Sequence, residues 1–166
     1  MIADLLEQIS NVAISLGEQD FPDQVMQSNW LGYEPATALQ ILMAEERLSI
    51  SLPDDYKEFL RVTNGFLSPR DSIEPTFDAI EKVGYLKDLD SQLIEIWSGH
   101  ESLDDISQQL KKSIRIGSNE QLFLIIPPSE EDRSWNYWKF ASWIPGEDEY
   151  EGLNDYFKDV LIFLEN

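Results

Sequence analysis

Residues 41–65 read ILMAEERLSISLPDDYKEFLRVTNG, and this stretch decides the fold. Its spacing predicts the end of one helix, a second helix that starts at Pro53, and a stop at Asn64-Gly65. Proline suits the first helical position because its missing N–H would have had no partner there. One face of the second helix carries residues at i, i+3, i+4 and i+7, namely Tyr56, Phe59, Leu60 and Thr63.

Glu45 places a carboxylate on an otherwise apolar stripe of the first helix. The residues that share this stripe are Ala38, Ile41, Leu42 and Glu45, with Leu48 close by. The second helix has Leu52 in place of a capping Ser, Thr, Asp or Asn, so the N–H groups of residues 54–56 need an acceptor. We expect Glu45 to turn inward and accept them, helped by the positive end of the helix.

The segment resembles the signature of the SUKH superfamily. The matching residues, in order and spacing, are Glu45, Leu48, Leu52-Pro53, Tyr56, Phe59-Leu60 and Asn64-Gly65. Trp30 and Gly32 are similar to the tryptophan-containing lead-in of the family, and Ile116-Gly117 is similar to its central pair before a strand. We interpret the signature residues as devices that define the fold, and not as a binding or catalytic site.

The resemblance runs from about residue 30 to the C-terminus, and it carries a functional expectation. Bacterial members of the superfamily are mostly immunity proteins of toxin systems, and the fungal founding member regulates cell-wall synthesis. The resemblance therefore implies a binding protein and no enzyme.

Composition limits the class of protein. A chain of 166 residues with 42% hydrophobic residues suits one domain, residues 1–166, with a real core. The absence of cysteine excludes disulfides, thiolate nucleophiles and cysteine-based metal sites, and it fits a reducing cytosol. No run of 18 apolar residues and no basic leader is present, so we expect no membrane span and a cytoplasmic location.

Charge is the second informative property. Twelve basic residues against 32 acidic ones give a formal net charge of −20, and Arg47 is the first basic residue in the chain. Phosphate binding requires the opposite sign, so nucleic acid is excluded and anionic membrane surfaces are disfavoured. A basic protein partner is the natural complement. The alternative interpretation is that the acidic charge serves solubility alone.

Hydrophobic periodicity gives the order of elements. Helices are predicted over 2–16, 88–97 and 102–111 and after Gly152, and residues 23–28 are predicted to form a further helical turn. Strands are predicted within 77–85, at 114–116, at 122–126 and over 135–144, and residues 145–152 read as an acidic loop. The fold class is therefore α+β: N-terminal helices, a mainly antiparallel central sheet and a C-terminal helix packed on it.

Catalytic and metal sites find little support in the sequence. His100, the single histidine, has no motif-placed nucleophile near it and is interpreted as an exposed loop residue. Acidic groups at 54–55, 104–105 and 130–132 are interpreted as solvated or helix-terminal charges. The acidic pair at 88 and 90 lacks the following ligands and glycine of a calcium loop. The run at 147–151 could hold a hard cation weakly, but its adjacent acids point in different directions, which favours a solvated loop. We expect no cofactor and no metal; a carboxylate-dependent hydrolase would need two acids with separated pKa values.

Aromatic residues beside acids are the composition of a protein-binding surface. Two predicted loops, at 30–35 and 145–152, combine aromatic and acidic residues and contain no basic residue. The candidate partner-binding residues in them are Trp30, Tyr33, Glu34, Glu147, Asp148, Glu149, Tyr150 and Glu151. Trp135 and Trp143 also lie beside acids, at the ends of the predicted strand. The alternative is that these aromatic rings pack their loops onto the core.

These observations together predict an immunity protein that binds a cognate polymorphic toxin and neutralises it by stoichiometric blockade. An acidic face with a few aromatic residues would cover a basic active-site cleft such as that of a nuclease. The alternative is an intracellular regulatory or scaffold module of the same fold, and a neighbouring toxin gene would discriminate between the two.

Overall fold

The computed structural model describes residues 1–70, 74–98, 104–130, 133–141 and 147–166, without the side chains of residues 104, 105 and 147. Several sequence predictions therefore lie outside the described residues. They concern His100, the start of the helix predicted over 102–111, the acidic pair at 131–132, and Trp143 with the adjoining end of its predicted strand.

Four helices occupy the N-terminal part of the chain: α1 (Ile2–Leu16), α2 (Asp23–Ser28), α3 (Ala38–Leu48) and α4 (Asp54–Val62). Helix α1 ends at Gly17, whose φ of 63° is the left-handed conformation that favours glycine. Helix α3 begins with a capping box, in which the side chains of Thr37 and Gln40 each accept the other residue's backbone N–H. The helical predictions for 2–16 and 23–28 are confirmed.

The boundaries of the signature helix differ from the prediction. Pro53 is the N-cap of α4 and not its first helical residue, and Thr63 is extended, with φ −155° and ψ 133°. The Thr63 hydroxyl accepts the N–H of Tyr33 at 2.7 Å and donates to the Gly65 carbonyl, so it serves the loops beyond the helix. Gly65 has the positive φ, 112°. Asn64 instead uses its side chain to accept the Ile80 N–H at 2.7 Å.

The predicted inward stripe of α3 is only partly correct. Ile41, Ala44 and Leu48 are buried, and Glu45 is half-buried. Ala38 and Leu42 are exposed, because the helix turns its 41–44–48 face to the core and this rotation carries positions 38 and 42 toward solvent.

The described residues form one antiparallel sheet of six strands: β1 (Thr76–Phe77), β2 (Gly84–Tyr85), β3 (Ile114–Ser118), β4 (Leu122–Ile126), β5 (Asn136–Phe140) and β6 (Glu147–Tyr150). The order is β1-β3-β4-β5-β6, and β2 also pairs with β3. A 3₁₀ turn (Ile80–Lys82) separates β1 from β2, where one short strand was predicted. The predicted acidic loop at 145–152 is wrong in part, because it contains β6.

The remaining helices are α5 (Leu86–Leu89), α6 (Ser91–Ser98), α7 (Asp104–Lys112) and α8 (Leu153–Glu165). The single helix predicted over 88–97 is thus two helices, and Leu89 is 41% exposed at the break between them. Asp90 ends α5, and its side chain accepts the N–H of Leu93 at 3.3 Å in the first turn of α6.

Helices cover both faces of the sheet and give two apolar cores. The larger cluster joins α1, α3, α4 and α8 to one face, and the smaller cluster joins α5, α6 and α7 to the other. Alternate residues of β4 serve the two sides: Phe123 and Ile125 face the larger cluster, and Leu124 and Ile126 face the smaller one. This explains the continuous apolar run at 122–126. The architecture is α+β, as predicted, and the C-terminal helix α8 packs on the sheet within the larger cluster and also against α1.

Candidate partner-binding surface

Glu45 does turn inward, but it accepts a different N–H from the one expected. Its Oε2 lies 2.7 Å from the backbone nitrogen of Leu52, one residue before Pro53. The ammonium of Lys57 lies 3.5 Å from the same oxygen. Glu45 therefore ties the α3–α4 turn to the start of α4, and it does not cap the first turn of α4.

Asp55, and not Glu45, accepts an N–H in the first turn of α4, although the N-cap Pro53 provides no side-chain cap. Its Oδ1 lies 2.9 Å from the nitrogen of Tyr56 and accepts the Tyr137 hydroxyl, and its Oδ2 accepts the N–H of Leu153 at 3.0 Å. One carboxylate thus joins α4 to β5 and to the first residue of α8. The sequence interpretation of Asp55 as a solvated or helix-terminal charge agrees with its place in the first turn of α4, but it did not include the contacts with β5 and α8.

Glu74 is a second acid whose role the sequence did not reveal. It is buried, its carboxylate lies 3.2 Å from the Lys139 ammonium, and its Oε2 accepts the Tyr156 hydroxyl at 2.7 Å. Burial, followed by the Glu74 charge, raises the pKa of Tyr156 well above its ordinary value. The signal in the sequence was Lys139, a single charged residue in a strand rich in aromatic residues. Helices cover both faces of the sheet, so the largely buried ammonium of Lys139 requires an acidic partner.

The first predicted segment, around Trp30, is divided between core and surface. Trp30 is half-buried with its ring 5.7 Å from that of Phe66, and a Cβ at Gly32 would lie 2.6 Å from the Trp30 ring. Glycine is therefore required where the loop passes this ring. Tyr33 is 51% exposed and Glu34 is exposed, so these two residues face solvent.

The second predicted segment is the edge strand β6 and the residue that follows it. Asp148, Glu149 and Glu151 are exposed. Tyr150 is half-buried against Tyr156, with ring centroids 5.4 Å apart, and burial raises its pKa above the ordinary range. The backbone of Glu147 belongs to the strand, and its side chain lies outside the described residues. The acids of this segment face solvent while its aromatic ring packs on the core.

The two segments lie at opposite edges of the sheet. Gly32 bridges to Phe66, and Phe66 bridges to Phe77 of β1, whereas β6 lies at the far end of the order β1-β3-β4-β5-β6. Six strand spacings of about 4.8 Å separate them along the sheet. The structure therefore groups the residues within each segment, but it does not bring the two segments together.

The first two basic residues of the chain make contacts within the protein, whereas Arg61 at the end of α4 is exposed. Arg47 directs its guanidinium to the carbonyl oxygens of Val83, at 2.8 Å, and Ile80, at 3.1 Å. Lys57 pairs with Glu45. The 46 residues before Arg47 contain only acids among their charged residues: Asp4, Glu7, Glu18, Asp20, Asp23, Glu34, Glu45 and Glu46. Helices α1, α2 and most of α3 come from this stretch, so this part of the surface is strongly negative.

Metal-ligand geometry is not found in the described part of the chain, where no three acidic or histidine side chains converge on one point. Within the same residues, no helix combines the length and apolar character that a bilayer crossing requires.

Comparison with known proteins agrees with the fold and the signature. A search of curated proteins found no match to this chain. The family model described as SMI1 / KNR4 family (SUKH-1) matches residues 35–162, which include α3, α4, the whole described sheet and most of α8. The chain therefore belongs to the SMI1 / KNR4 family (SUKH-1).

Proposed function

We propose that this protein is an immunity protein that binds a cognate toxin domain and blocks it stoichiometrically. Family membership supports a protein of this kind, because the SUKH superfamily that the signature resembles consists largely of toxin-immunity proteins in bacteria. The toxin surface that it covers is basic, as the active-site cleft of a nuclease would be.

The observation that carries the proposal is the one-sided charge of the N-terminal helices. Residues 1–46, which form α1, α2 and most of α3, hold eight acids and no lysine or arginine; the guanidinium of Arg47 and the ammonium of Lys57 make contacts within the protein, and Arg61 is exposed at the end of α4. Such a surface attracts a basic partner at long range and repels acidic ones. It therefore favours rapid and selective capture of a basic toxin domain.

The acids that join elements of the fold, Asp55 and Glu74, support a binding protein rather than a hydrolase. A carboxylate enzyme needs acids that are free to exchange protons with a substrate in a cleft. Asp55 is held by the hydroxyl of Tyr137 and two backbone N–H groups, and Glu74 is held by Lys139 and Tyr156. Both carboxylates are occupied in joining elements of the fold.

The test uses a toxin domain encoded beside the gene for this protein. Co-expression should restore growth of cells that express the toxin, and the purified pair should form a one-to-one complex. The association rate should fall steeply as salt rises past about 0.15 M, because screening removes long-range steering. A complex that forms at a salt-independent rate would contradict the charge argument.

A matched pair of charge reversals locates the effect. Glu7 on α1 and Glu120 between β3 and β4 are both exposed, and replacing either by lysine changes the net charge equally. Glu7→Lys should slow association several-fold more than Glu120→Lys. Equal slowing would mean that total charge, and not the N-terminal helices, steers the encounter. Absence of both rescue and complex formation would reject the immunity role and favour the regulatory alternative.

A further inference from the structure

The solvent side of α3 carries a contiguous apolar patch. Leu39 is 64% exposed, Leu42 53% and Met43 59%. These positions are i, i+3 and i+4, so the three side chains are neighbours on one helix face. Isolated exposed apolar residues are ordinary, but three large ones grouped on the outermost face of one helix are typical of an interaction surface.

The patch is held rigidly before any partner arrives. Thr37 and Gln40 cap the start of α3, and Ser49 ends it in the left-handed conformation with its N–H on the carbonyl oxygens of residues 45 and 46. Two bonds from Arg47 to carbonyl oxygens fix the helix against the 3₁₀ turn at 80–82. A preformed surface avoids the entropic cost of ordering on binding.

Acids border the patch. Glu46 is exposed on the same face of α3, and Glu81 is held beside the helix by the Gln40 side chain at 2.6 Å. Asn64 connects this border to the preceding loop, because its N–H binds the Glu34 carbonyl at 2.9 Å and its side chain reaches Glu81 at 3.3 Å. Glu46 and Glu81 therefore supply negative charge beside the patch, together with the exposed cations Arg47 and Lys82, of which Arg47 directs its guanidinium to backbone carbonyl oxygens.

We propose that the α3 patch, defined as Leu39, Leu42 and Met43, docks a cationic amphipathic helix of the partner. The partner's apolar side chains would cover the patch and its lysines or arginines would meet the acids around it. This rests on the proposed function and adds to it the surface that makes contact. A second copy of this chain is the disfavoured occupant, because it would place like charges opposite each other on molecules of net charge −20.

The probe is a synthetic helical peptide of about 18 residues, with leucines on one face and lysines elsewhere, labelled for fluorescence anisotropy. It is titrated with the full chain at about 0.15 M salt. Leu42→Gln and Met43→Gln keep the charge and the helix-forming character and remove apolar surface. Each should weaken binding about tenfold. Ile162→Gln on α8, where the wild-type residue is 57% exposed, is the matched control and should leave binding within about twofold.

Three outcomes would overturn the proposal. The first is equal weakening by the α3 and α8 variants, and the second is no weakening by either. The third is a concentration-dependent dimer of the wild type, seen by sedimentation, that Met43→Gln abolishes. The toxin-rescue assay separates this proposal from the previous one. Rescue that survives in the α3 variants rejects the patch and leaves the immunity role standing. If only the α3 variants weaken peptide binding and the wild type does not rescue cells from the toxin, the patch is supported and the immunity role is rejected.

Discussion

Single carboxylates hold the signature segment together at the residue scale. Glu45 accepts the N–H of Leu52, a residue that is 3% exposed. Without this carboxylate, the Leu52 N–H would be buried with neither a protein acceptor nor water. An unmatched buried donor costs about 1–3 kcal/mol. The neighbouring Lys57 adds a charge interaction at 3.5 Å. The hydrogen bond and the ion pair can be separated by substitution.

Glu45→Ala should lower the free energy of unfolding by about 1–3 kcal/mol, because the Leu52 N–H loses its acceptor. Glu45→Gln keeps an oxygen at the same place and removes the charge, so its cost should be clearly smaller. Denaturant midpoints at unchanged slope measure both. Equal losses in the two variants would assign the effect to the Lys57 pair instead.

The Glu74–Lys139 pair provides a second test at this scale. Both side chains are largely buried, at 7% and 12% exposure, so removing the cation alone leaves an uncompensated charge. Lys139→Met should cost about 3–5 kcal/mol of stability. The double variant Glu74→Gln, Lys139→Met should recover part of that loss, because no charge is then stranded. If the double variant loses as much unfolding free energy as the two single variants together, the two side chains are not energetically coupled.

The sequence could predict that Glu45 turns inward, because one acid on an apolar stripe has few other options. It could not predict the choice of N–H, which depends on the left-handed Ser49 and the path of the turn after it. The contacts of Asp55 and Glu74 could not be predicted for another reason. Their partners, Tyr137 and Tyr156, lie 82 residues away along the chain in both cases.

The acidic strand β6 has two interpretations at the element scale. Among the described strands, β6 pairs only with β5 and lies at the edge of the sheet. Charged residues on an edge strand prevent pairing with the edge of another molecule. The register places Asp148 opposite Lys139 and Glu149 opposite Trp138, so acids project on both faces. Edge protection explains these acids without a partner, whereas the exposed face of α3 has no comparable structural reason.

Replacing Asp148 and Glu149 together by threonine should increase self-association, because the edge loses its repulsion and gains strand propensity. Sedimentation over a range of concentrations should detect oligomers that the wild type does not form. The same pair replaced by lysine is the control, since it restores like-charge repulsion within the edge. Monomers in both variants would contradict the protective role.

Element types were predictable where periodicity extends over several turns or strand residues, as in α1, α4 and β4. The prediction failed where tertiary pairing decides the conformation. β6 is composed almost wholly of acids, which have low strand propensity, and it is a strand because it pairs with residues 137–140 of β5. The break between α5 and α6 has a local cause instead, since the Asp90 side chain accepts the N–H of Leu93 in the first turn of the next helix.

Buried phenols make the whole molecule sensitive to alkali. Burial is the largest cause that raises the pKa of Tyr56, Tyr137, Tyr150 and Tyr156 above the ordinary value of 10, and nearby acids raise each further. The folded state therefore keeps protons that the unfolded chain releases as pH passes about 10. Because the unfolded state then binds fewer protons, stability is retained below that pH and falls as pH rises above it.

Ultraviolet titration should show the tyrosinates of these four residues appearing together with the loss of helical circular dichroism. Tyr56→Phe should shift this alkaline transition to higher pH, because it removes one raised phenol. The Tyr56 hydroxyl is buried and has no hydrogen-bond partner among the described residues, so the variant should lose little stability at neutral pH. Gradual tyrosinate formation well before unfolding would contradict the assignment.

The sheet divides the apolar interior into two unequal parts, and we expect this division to allow one part to open before the other. Helices α5, α6 and α7 cover the smaller cluster, so they can detach as a unit while the larger cluster still holds the remaining helices on the sheet. Native-state hydrogen exchange should then report two opening free energies, a lower one for amides of α6 and α7 and the global one for β3 and β4. A single opening free energy for all protected amides would mean that the two layers unfold as one cooperative unit.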